Sequence, residues 1–288
     1  MASDSRAHDG SRGRRHLPRL RTAGWYVLLC TVSMLVLYPV WMTVVRAVSE
    51  PFVYIQEGQP LFPVAIDWGV FSTAWADGAM GRSMLLTLAV TAIITIGQLV
   101  TSVLAAYAFA YLRFPFKNTL FILLIATLLL PIEVTLIANV RTIRELAWLN
   151  SLQGLSVPFL ASAFGIFLLR QGFLGVPSEL RDAARLDGFG HFAFLRRVAL
   201  PLNRPIVGSF VLITALGAWN SYLWPRAAVT EQRWETVQVA LRSISVARPE
   251  RFNVGVAAAI IASLPILVLL IIFQKQIIRG LTAGAVKG

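Results

Sequence analysis

The sequence predicts an all-α integral membrane protein with six transmembrane helices and a cytoplasmic helix-turn-helix. Of the 288 residues, 57% are hydrophobic and only 14% are charged, whereas about a quarter of the residues in soluble domains are charged. The apolar residues also form blocks, each long enough for the roughly 20 residues that a helix needs to cross a bilayer. These blocks lack the alternating pattern of barrel strands, so helices are the predicted spanning form.

Six runs with at most one charged residue mark the predicted spans. They are Gly24–Val45, Met84–Leu112, Thr119–Val140, Leu146–Leu169, Pro205–Pro225 and Val254–Phe273. The first run exceeds the roughly 7–15 apolar residues of a signal peptide, and no small-residue cleavage site follows it. We therefore expect a retained anchor, which contains the single cysteine, Cys30.

The runs divide the chain into three parts. Residues 1–23 are polar and rich in Arg, Ser and Gly, which predicts a disordered, basic, cytoplasmic leader. Residues 24–277 form the predicted six-helix transmembrane domain. Residues 278–288 form a predicted cytoplasmic tail.

The charge distribution predicts the orientation in the membrane. A formal net charge of +12 could indicate nucleic-acid binding, but the basic residues follow the predicted topology. Most of the 26 Lys and Arg residues lie on one side if the N-terminus is cytoplasmic, in agreement with the positive-inside rule. We therefore predict a multi-pass membrane protein with both termini cytoplasmic. Membrane lipid, and no nucleic acid, is the predicted partner of the leader.

The longest predicted cytoplasmic loop, 176–203, contains the signals of a short helix. Long loops without structure are uncommon, so we expect this loop to fold. Ser178 is a suitable N-cap, and Glu179 and Asp182 place negative charge in the first turns. Four residues at helical spacing form a small, mildly apolar face that suits docking against another protein: Leu180, Ala183, Ala184 and Asp187.

A turn and a second helix follow in the same loop. Asp187-Gly188 predicts a tight turn, because glycine adopts positive φ readily. His191–Val198 is the predicted second helix, and Pro201 is expected to end it. The loop is therefore predicted to be a helix-turn-helix outside the membrane.

This loop resembles the cytoplasmic coupling motif of ABC-importer permeases, whose pattern is Glu-Ala-Ala, two residues, Asp-Gly and a proline about a dozen residues on. The chain has Asp instead of Glu as the first acid. In that family the motif enters a cleft on the ATP-binding subunit and transmits its motion to the membrane helices. The resemblance assigns ATPase coupling to Glu179, Asp182, Ala183, Ala184, Asp187, Gly188 and Pro201.

The resemblance extends from about residue 83 to the end and is to the carbohydrate-uptake branch, the maltose G-type and glycerol-3-phosphate E-type permeases. It rests on segments 105–110 with 114–115, 161–164 with 167–171, 219–225 and 280–288, and segments 130–134 and 219–225 favour the glycerol-3-phosphate type. In maltose-type permeases the tail reaches between the two ATPase subunits. This contact would fall on Thr282, Gly284 and Lys287.

The resemblance implies a permease subunit in the bacterial inner membrane that imports a solute by alternating access. Glycerol 3-phosphate or a glycerophosphodiester is the favoured solute, and an oligosaccharide such as maltose or trehalose is the alternative. The implied partners are a second homologous permease, a dimer of ATP-binding subunits and an extracytoplasmic solute-binding protein. The chain itself is expected to bind no cofactor or metal, since ATP and Mg would be bound by the ATPase.

Glu133 is the only acid well inside a predicted span. A buried carboxylate is costly in a bilayer, so Glu133 either faces a cavity or meets water where the helix unwinds at Pro131. The candidate residues of the substrate pathway are Glu133, Asn139, Trp219, Asn220 and Tyr222. The aromatic residues equally suit an interfacial belt. Gln98 suits either a hydrogen bond between helices or the pathway.

The sequence lacks common nucleotide-binding and catalytic motifs of enzymes. It contains no Walker phosphate loop, no Gly-x-Ser-x-Gly elbow and no His-Glu-x-x-His, so we expect a transport subunit and no enzyme. An ion-coupled secondary transporter, with Glu133 as its titrating site, is a distant alternative, but it leaves the folded loop unexplained. A lipid-modifying enzyme would need clustered acids or histidines at the interface, which the sequence lacks.

Overall fold

The structure is a computed structural model that describes the backbone of residues 17–77 and 79–285. It describes their side chains except those of residues 17–21, 77, 132 and 275–285. Within these ranges the fold is all-α, as predicted, with a single isolated bridge between Ser49 and Ile66. The chain divides into two compact units, Met1–Trp68 and Gly69–Gly288, whereas the sequence predicted one domain over residues 24–277.

The first unit contains α1 (Leu17–Val48) and α2 (Pro51–Gln56). Helix α1 includes residues 17–23, so the prediction of a disordered leader was wrong there; residues 1–16 lie outside the described part. Pro18 is in the first helical turn, where a proline is tolerated. The Trp41 indole N–H donates to the carbonyl of Leu61 at 2.8 Å, so the segment after α2 folds back on α1.

The second unit contains the other helices. They are α3 (Val70–Asp77), α4 (Met80–Tyr111), α5 (Lys117–Ala126), α6 (Ile132–Glu145), α7 (Leu152–Ser156), α8 (Ala163–Leu174), α9 (Ser178–Leu186), α10 (His191–Phe194), α11 (Leu200–Leu202), α12 (Arg204–Trp219), α13 (Leu223–Ala228), α14 (Val237–Ala247) and α15 (Phe252–Ala285). Helix α4 packs against α8, α12 and α14, and α15 packs against α3, α12 and α14. Helix α4 is therefore central to this unit.

Three helices are long and apolar enough to cross a membrane alone: Thr22–Val48, Met80–Tyr111 and Pro249–Gln274. They coincide with the predicted first, second and sixth spans. Three pairs of helices joined at bends of 101°, 44° and 81° also have this length and composition. By length and composition, the described residues therefore hold three candidate spans, or up to six if each bent pair is one span, and the count of six stays a prediction.

The predicted third span, Thr119–Val140, is broken at Pro131. Helix α6 begins just after this proline and is bent by 101° from the helical segment before it. Because a residue before proline disfavours the α conformation, Leu130 is extended, with ψ of 115°. Glu133 is exposed in the first turn of α6. The unwinding at Pro131 that one interpretation of Glu133 requires is therefore present, and the role of Glu133 stays a prediction.

The predicted fourth span, Leu146–Leu169, is shifted toward the C-terminus and bent by 44° between α7 and α8. Gln98 of α4 donates from Nε2 to the carbonyl of Phe159 at 2.8 Å, and Thr101 donates from Oγ1 to that of Leu160 at 2.7 Å. These bonds satisfy backbone carbonyls at the bend, which lipid could not do. The predicted interhelical hydrogen bond of Gln98 is confirmed.

Pro201 does not end the second helix of the loop, contrary to the prediction. Helix α10 continues through a π-helical segment, Leu195–Ala199, into α11. In the π turn the N–H of Leu200 bonds to the carbonyl of Leu195, five residues back. The extra residue in this turn lets the chain pass Pro201, which has no N–H to donate.

The sharp bend comes after Pro201, at Asn203, where α11 and α12 meet at 81°. Pro205 cannot donate to the carbonyl of Pro201, and its ring would clash with that carbonyl in a straight helix. Asn203 is buried, and its side-chain amide donates from Nδ2 to the carbonyl of Ala199 at 2.8 Å. The helix therefore turns sharply before α12, which begins at Arg204 instead of the predicted Pro205.

Two clusters of buried residues lie toward opposite ends of α4. The Tyr107 cluster consists of Val103, Ala106, Tyr107, Leu169, Phe173, Ala184, Phe194, Leu195, Ala199 and Phe210. The Trp224 cluster consists of Val90, Ile94, Ile143, Leu155, Trp224, Ala228 and Val229. Val90 and Tyr107 are about 25 Å apart along a helix of this geometry. The two clusters place two candidate sites in the second unit.

Candidate functional sites at the two ends of helix α4

At the Tyr111 end of α4, the helix-turn-helix of α9 and α10 is packed into the Tyr107 cluster. Ala184 of α9 is 6% exposed, and Phe194 of α10 is 5% exposed. Helix α9 begins at Ser178 and its N-cap is Pro177, so the predicted cap is displaced by one residue. Burial of apolar side chains from both helices fixes the loop on α4 and α8.

Hydroxyl groups and rings join this loop to α4. The hydroxyl of Tyr107 lies 3.0 Å from Nδ1 of His191, and the Tyr107 ring meets the Phe173 and His191 rings edge-on. The ring of Tyr111 meets the Phe194 ring of α10 edge-on, and its hydroxyl donates to the carbonyl of Phe173 in α8. Buried contacts of this kind leave little room for independent movement. A displacement of α10 would therefore displace the end of α4.

The opposite face of α9 is exposed. Glu179, Asp182, Ala183, Asp187 and Gly188 are exposed, whereas Pro201 is half-buried. Leu186 is 91% exposed, so an apolar side chain extends from the end of this face. Arg185 lies 3.8 Å from Asp182, a surface ion pair that stabilises little. The exposed face of α9 thus carries most of the residues assigned to ATPase coupling.

Ala184 is the exception and corrects the predicted docking face. The sequence placed it with Leu180, Ala183 and Asp187 on one face that meets another protein. The structure turns Ala184 inward, into the Tyr107 cluster, because an alanine is small enough for α9 to approach the aromatic rings. Ala183, its neighbour, is exposed. Adjacent alanines of the motif therefore lie on different faces of α9, one exposed and one buried.

The predicted turn after α9 is present. Gly188 has φ of +76°, and no heavy atom lies within 4 Å of the position that a Cβ would occupy. Glycine is favoured at position 188 by the positive φ of the backbone, which residues with a side chain rarely adopt. The N–H of Phe189 bonds to the carbonyl of Ala184 at 2.8 Å, so the turn is closed tightly against α9.

Toward the Met80 end of α4, a cavity of about 330 Å³ opens between α4, α8, α12 and α13. This volume is in the range of about 300–1,000 Å³ of small-molecule sites. Ile213 on the wall is 50% exposed, so the cavity is open along α12. Rings of Phe159 and Trp224 form part of its wall and meet edge-on at 5.4 Å. The cavity is the second candidate site.

Polar side chains line this cavity alongside the apolar ones: Thr87, Gln98, Ser162, Thr214, Ser221 and Thr236. Gln98 accepts a hydrogen bond from the hydroxyl of Thr214 at 3.3 Å. Among the described lining residues there is no charged side chain. The cavity can therefore bind a solute by hydrogen bonds and apolar contacts, and not by ion pairing.

None of the predicted pathway residues lines this cavity in the described part of the chain. Trp219 is 4% exposed and donates from its indole to the carbonyl of Ala262 at 3.2 Å, so it joins α12 to α15 and is no lipid-facing belt residue. Asn220 is exposed and donates to the carbonyl of Leu216 at 2.9 Å. Tyr222 is 39% exposed, Asn139 is half-buried and Glu133 is exposed.

The sequence contains a signal for a polar face of α4. Polar residues recur at spacings of four and three along the second apolar run, as Thr87, Thr91, Thr95, Gln98 and Ser102. This spacing places them on one helical face, and all but Gln98 are buried. Of this face, Thr87 and Gln98 line the cavity, and the other polar lining residues belong to separate segments that only the fold brings together.

Two of the three predicted tail contacts lie at the end of α15. Thr282 and Gly284 are in this helix, without described side chains, and Lys287 lies outside the described residues. The predicted separate tail, 278–288, is therefore helical as far as Ala285. No group of three or more His, Cys, Asp or Glu residues suitable for a metal occurs in the described part of the chain.

Comparison with known proteins identifies the family. Residues 98–283 match the family described as "Binding-protein-dependent transport system inner membrane component". The sn-glycerol-3-phosphate transport system permease protein UgpE of Yersinia pestis bv. Antiqua (strain Antiqua) is 34% identical over 264 residues, which are 89% of this chain and 94% of the relative. UgpE of Rhizobium meliloti (strain 1021) is 30% identical over 267 residues, with the same coverage.

Solved structures share the fold. A chain of a bacterial ABC transporter involved in the import of the acidic polysaccharide alginate aligns with a TM-score of 0.75 and 22% identity, covering 93% of this chain and 99% of that chain. A chain of a bacterial alginate ABC transporter in complex with an alginate pentasaccharide-bound periplasmic protein aligns with a TM-score of 0.62 and 11% identity, covering 91% and 96%. The family match spans more than half of the chain and the relatives most of it, so this chain belongs to the binding-protein-dependent transport system inner membrane components, which are transport subunits of the bacterial inner membrane.

Proposed function

We propose that this chain is a permease subunit that imports glycerol 3-phosphate or a related glycerophosphodiester with energy from a partner ATPase. The observation that carries the proposal is the packing of the exposed motif helix α9 against the end of α4. A surface with residues of the coupling motif is thereby joined to the helix that also lines the cavity. The named solute of the curated relatives supports this solute class.

The proposed orientation places α9 and both chain termini in the cytoplasm. The excess of basic residues on that side supports it. The proposed assembly contains a second permease, two ATP-binding subunits that bind ATP and Mg, and an extracytoplasmic solute-binding protein. The opening of the cavity along α12 supports the second permease, because a neighbouring subunit would close it.

In the proposed mechanism, closure of the ATPase dimer on ATP moves α9 and α10 together. Tyr107 carries this movement into α4, because its hydroxyl lies against His191 of α10 and its ring packs against the rings of His191 and Phe194. Helix α4 then moves relative to α12, and the cavity between them becomes accessible from the other side. ATP supplies the difference in free energy between the two states, which is what biases an equilibrium of conformations.

Substitution Gly188→Val tests the coupling role. Valine is strained at φ of +76°, so the turn between α9 and α10 should change shape while the membrane helices still insert. We expect ATP-driven uptake by the reconstituted assembly to fall at least about fivefold, with ATP hydrolysis retained, as loss of a typical coupling free energy predicts.

Gly190→Ala is the matched control. Gly190 has negative φ and no atom within 4 Å of its Cβ position, so this variant should transport like the wild type. Full ATP-driven uptake by Gly188→Val would contradict the coupling role. Uptake by the wild-type chain without an ATPase would contradict the proposed function itself.

A further inference from the structure

A smaller cavity, which we call the arginine pocket, lies at the Tyr111 end of α4. Its volume is about 130 Å³, and its walls come from α4, α9, α10 and the turn between α9 and α10. Arg181 and Arg185 of α9 line it together with His191 of α10. Among the described residues, no carboxylate lines this pocket. The pocket therefore gathers basic side chains around an open space without an acidic counterpart.

Neither arginine makes a hydrogen bond to an acid in the described part of the chain. The carboxylate of Asp182 comes nearest, with Oδ1 at 4.0 Å from Nε of Arg181 and 3.8 Å from Nη1 of Arg185, which is beyond hydrogen-bond distance. A guanidinium has five N–H donors, and like charges four residues apart on a helix repel each other. One exposed carboxylate shared by both arginines compensates little of this repulsion.

Both arginines are accessible from solvent. The side chain of Arg181 is 38% exposed and that of Arg185 is 64% exposed. Their separation of one helical turn on α9 lets both reach one small anion between them. A ligand can therefore approach the two positive charges without a rearrangement of the buried cluster behind them.

His191 adds a third donor from the other helix of the loop. Its Nδ1 lies 3.0 Å from the hydroxyl of Tyr107, and this hydroxyl donates to Nδ1 in the tautomer whose Nε2 carries the proton. The imidazole is exposed, so in this tautomer its Nε2–H is available to a ligand. The hydroxyl of Tyr111 is used by the carbonyl of Phe173. The tyrosines thus shape the wall, and the donors come from α9 and α10.

We propose that the arginine pocket binds a phosphate group, carried by an anionic lipid of the cytoplasmic leaflet or by a free phosphate ion. Arginine pairs with phosphate oxygens through two parallel N–H groups. A volume of 130 Å³ holds about four waters at roughly 30 Å³ each, which suits a group of a few atoms. The bound phosphate links Arg181 and Arg185 of α9 to His191 of α10 and fixes the two helices across the turn at Gly188.

Both sources of phosphate are present at this end of α4 in the proposed orientation. Helix α4 has 32 residues, about 48 Å at 1.5 Å per residue, whereas a bilayer with its headgroups measures about 40–45 Å. The Tyr111 end therefore reaches the headgroup layer, where anionic lipids attract basic residues, and it is open to phosphate in the cytosol. The proposal goes beyond the proposed function and requires neither its solute nor its ATPase.

The test uses the full chain purified in nanodiscs without the ATP-binding subunits, whose nucleotide site would also bind phosphate. Discs of phosphatidylcholine are compared with discs that also contain phosphatidylglycerol, each in sodium phosphate and in sodium chloride of equal ionic strength. A ligand that binds only the folded chain raises its unfolding temperature. A rise with sodium phosphate identifies the free ion as the ligand, and a rise with phosphatidylglycerol identifies the lipid headgroup. No rise under either condition overturns the proposal.

Arg181→Gln and Arg185→Gln each remove one guanidinium from the pocket. We expect each to raise the phosphate concentration, or the fraction of phosphatidylglycerol, at half-maximal stabilisation at least about tenfold, because a charge-assisted hydrogen bond is lost. Arg196→Gln is the matched control, since Arg196 is an exposed arginine of the same loop that does not line the pocket. Unchanged stabilisation in both pocket variants, or an equal loss in Arg196→Gln, would contradict the site.

Arg181→Lys separates loss of binding from loss of folding. It keeps the charge without the planar fork of donors, so phosphate should stabilise it less than the wild type and more than Arg181→Gln. Equal stabilisation of the lysine and glutamine variants would argue against an anion at this position. A carboxylate of the ATP-binding subunit is the competing occupant. If Arg181→Gln lost co-purification with that subunit while phosphate left the wild-type chain unaffected, the pocket would belong to the partner and the proposal would be overturned.

Discussion

The two ends of α4 differ in how their polar groups are used. At the Tyr111 end, the hydroxyls of Tyr107 and Tyr111 bond to α10 and α8 within an aromatic cluster. Toward the Met80 end, uncharged polar side chains such as Gln98 and Ser221 line a cavity. Polar groups that are paired within a packed cluster make a contact rigid, whereas a cavity wall is accessible to a small molecule. The difference fits the proposed function, in which one part of the chain transmits movement and another part meets the solute.

Gly165→Val should have the largest effect, because Gly165 lies where α8 packs closely against α4 and α12, between the two ends of α4. A Cβ at Gly165 of α8 would lie 2.3 Å from Cζ of Phe210 and 2.5 Å from Oγ of Ser102. Both neighbours are buried, so α4, α8 and α12 must separate. We expect destabilisation of roughly 3 kcal/mol, the upper part of the range for overpacking, measured by thermal unfolding of the purified chain in detergent.

Gly217→Ala is the control for this substitution. Gly217 is also inside a helix of this unit, but nothing lies within 4 Å of its Cβ position. The Gly217→Ala variant should unfold at or slightly above the wild-type temperature, since alanine is a better helix former than glycine. Equal stability of Gly165→Val and Gly217→Ala would argue against the close crossing at Ser102.

Substitutions of the two adjacent alanines test which face of α9 packs against the Tyr111 end of α4. Ala184→Leu overfills the Tyr107 cluster and should destabilise the chain by about 1–3 kcal/mol. Ala183→Leu is on the exposed face and should leave thermal stability within about 0.5 kcal/mol, while it weakens co-purification with the ATP-binding subunits. The reverse pattern, with Ala183→Leu unstable and Ala184→Leu unable to bind the ATPase, would mean that α9 is rotated.

Glu133→Gln should have the smallest effect, and it tests whether Glu133 takes part in solute passage. Glu133 is exposed in the first turn of α6 and is not on the cavity wall. We expect thermal stability within about 0.5 kcal/mol of the wild type, together with unchanged affinity and selectivity of uptake. A change in solute selectivity would place Glu133 on the pathway after all.

Local signals made the helix-turn-helix predictable. The turn at Asp187-Gly188 depends on the conformational freedom of one glycine, and a helix start near Ser178 depends on adjacent residues. The inward direction of Ala184 was not predictable in the same way. Either alanine of the motif is small enough to be buried, and the choice depends on where α4 and α8 place their aromatic rings.

Prolines and the cavity show where prediction from sequence failed. Pro131 was correctly considered as a break, but Pro201 was expected to end a helix that passes it by a π turn. The bend appears two residues later because Pro205 acts on Pro201 across one helical turn. The cavity was missed because its walls come from α4, α7, α8, α12, α13 and the start of α14, and no periodicity within one segment reveals such a combination.

The π turn before Pro201 makes the direction in which α10 points its side chains depend on the number of residues between α10 and α11. Each residue added to or removed from a helix turns the part before it by about 100° relative to the part after it. Deletion of one residue within Leu195–Ala199 would restore regular α-helical bonding and carry His191 around the helix axis, away from Tyr107. The number of residues between the motif and α12 thus matters to the proposed transmission of movement as much as the side chains do.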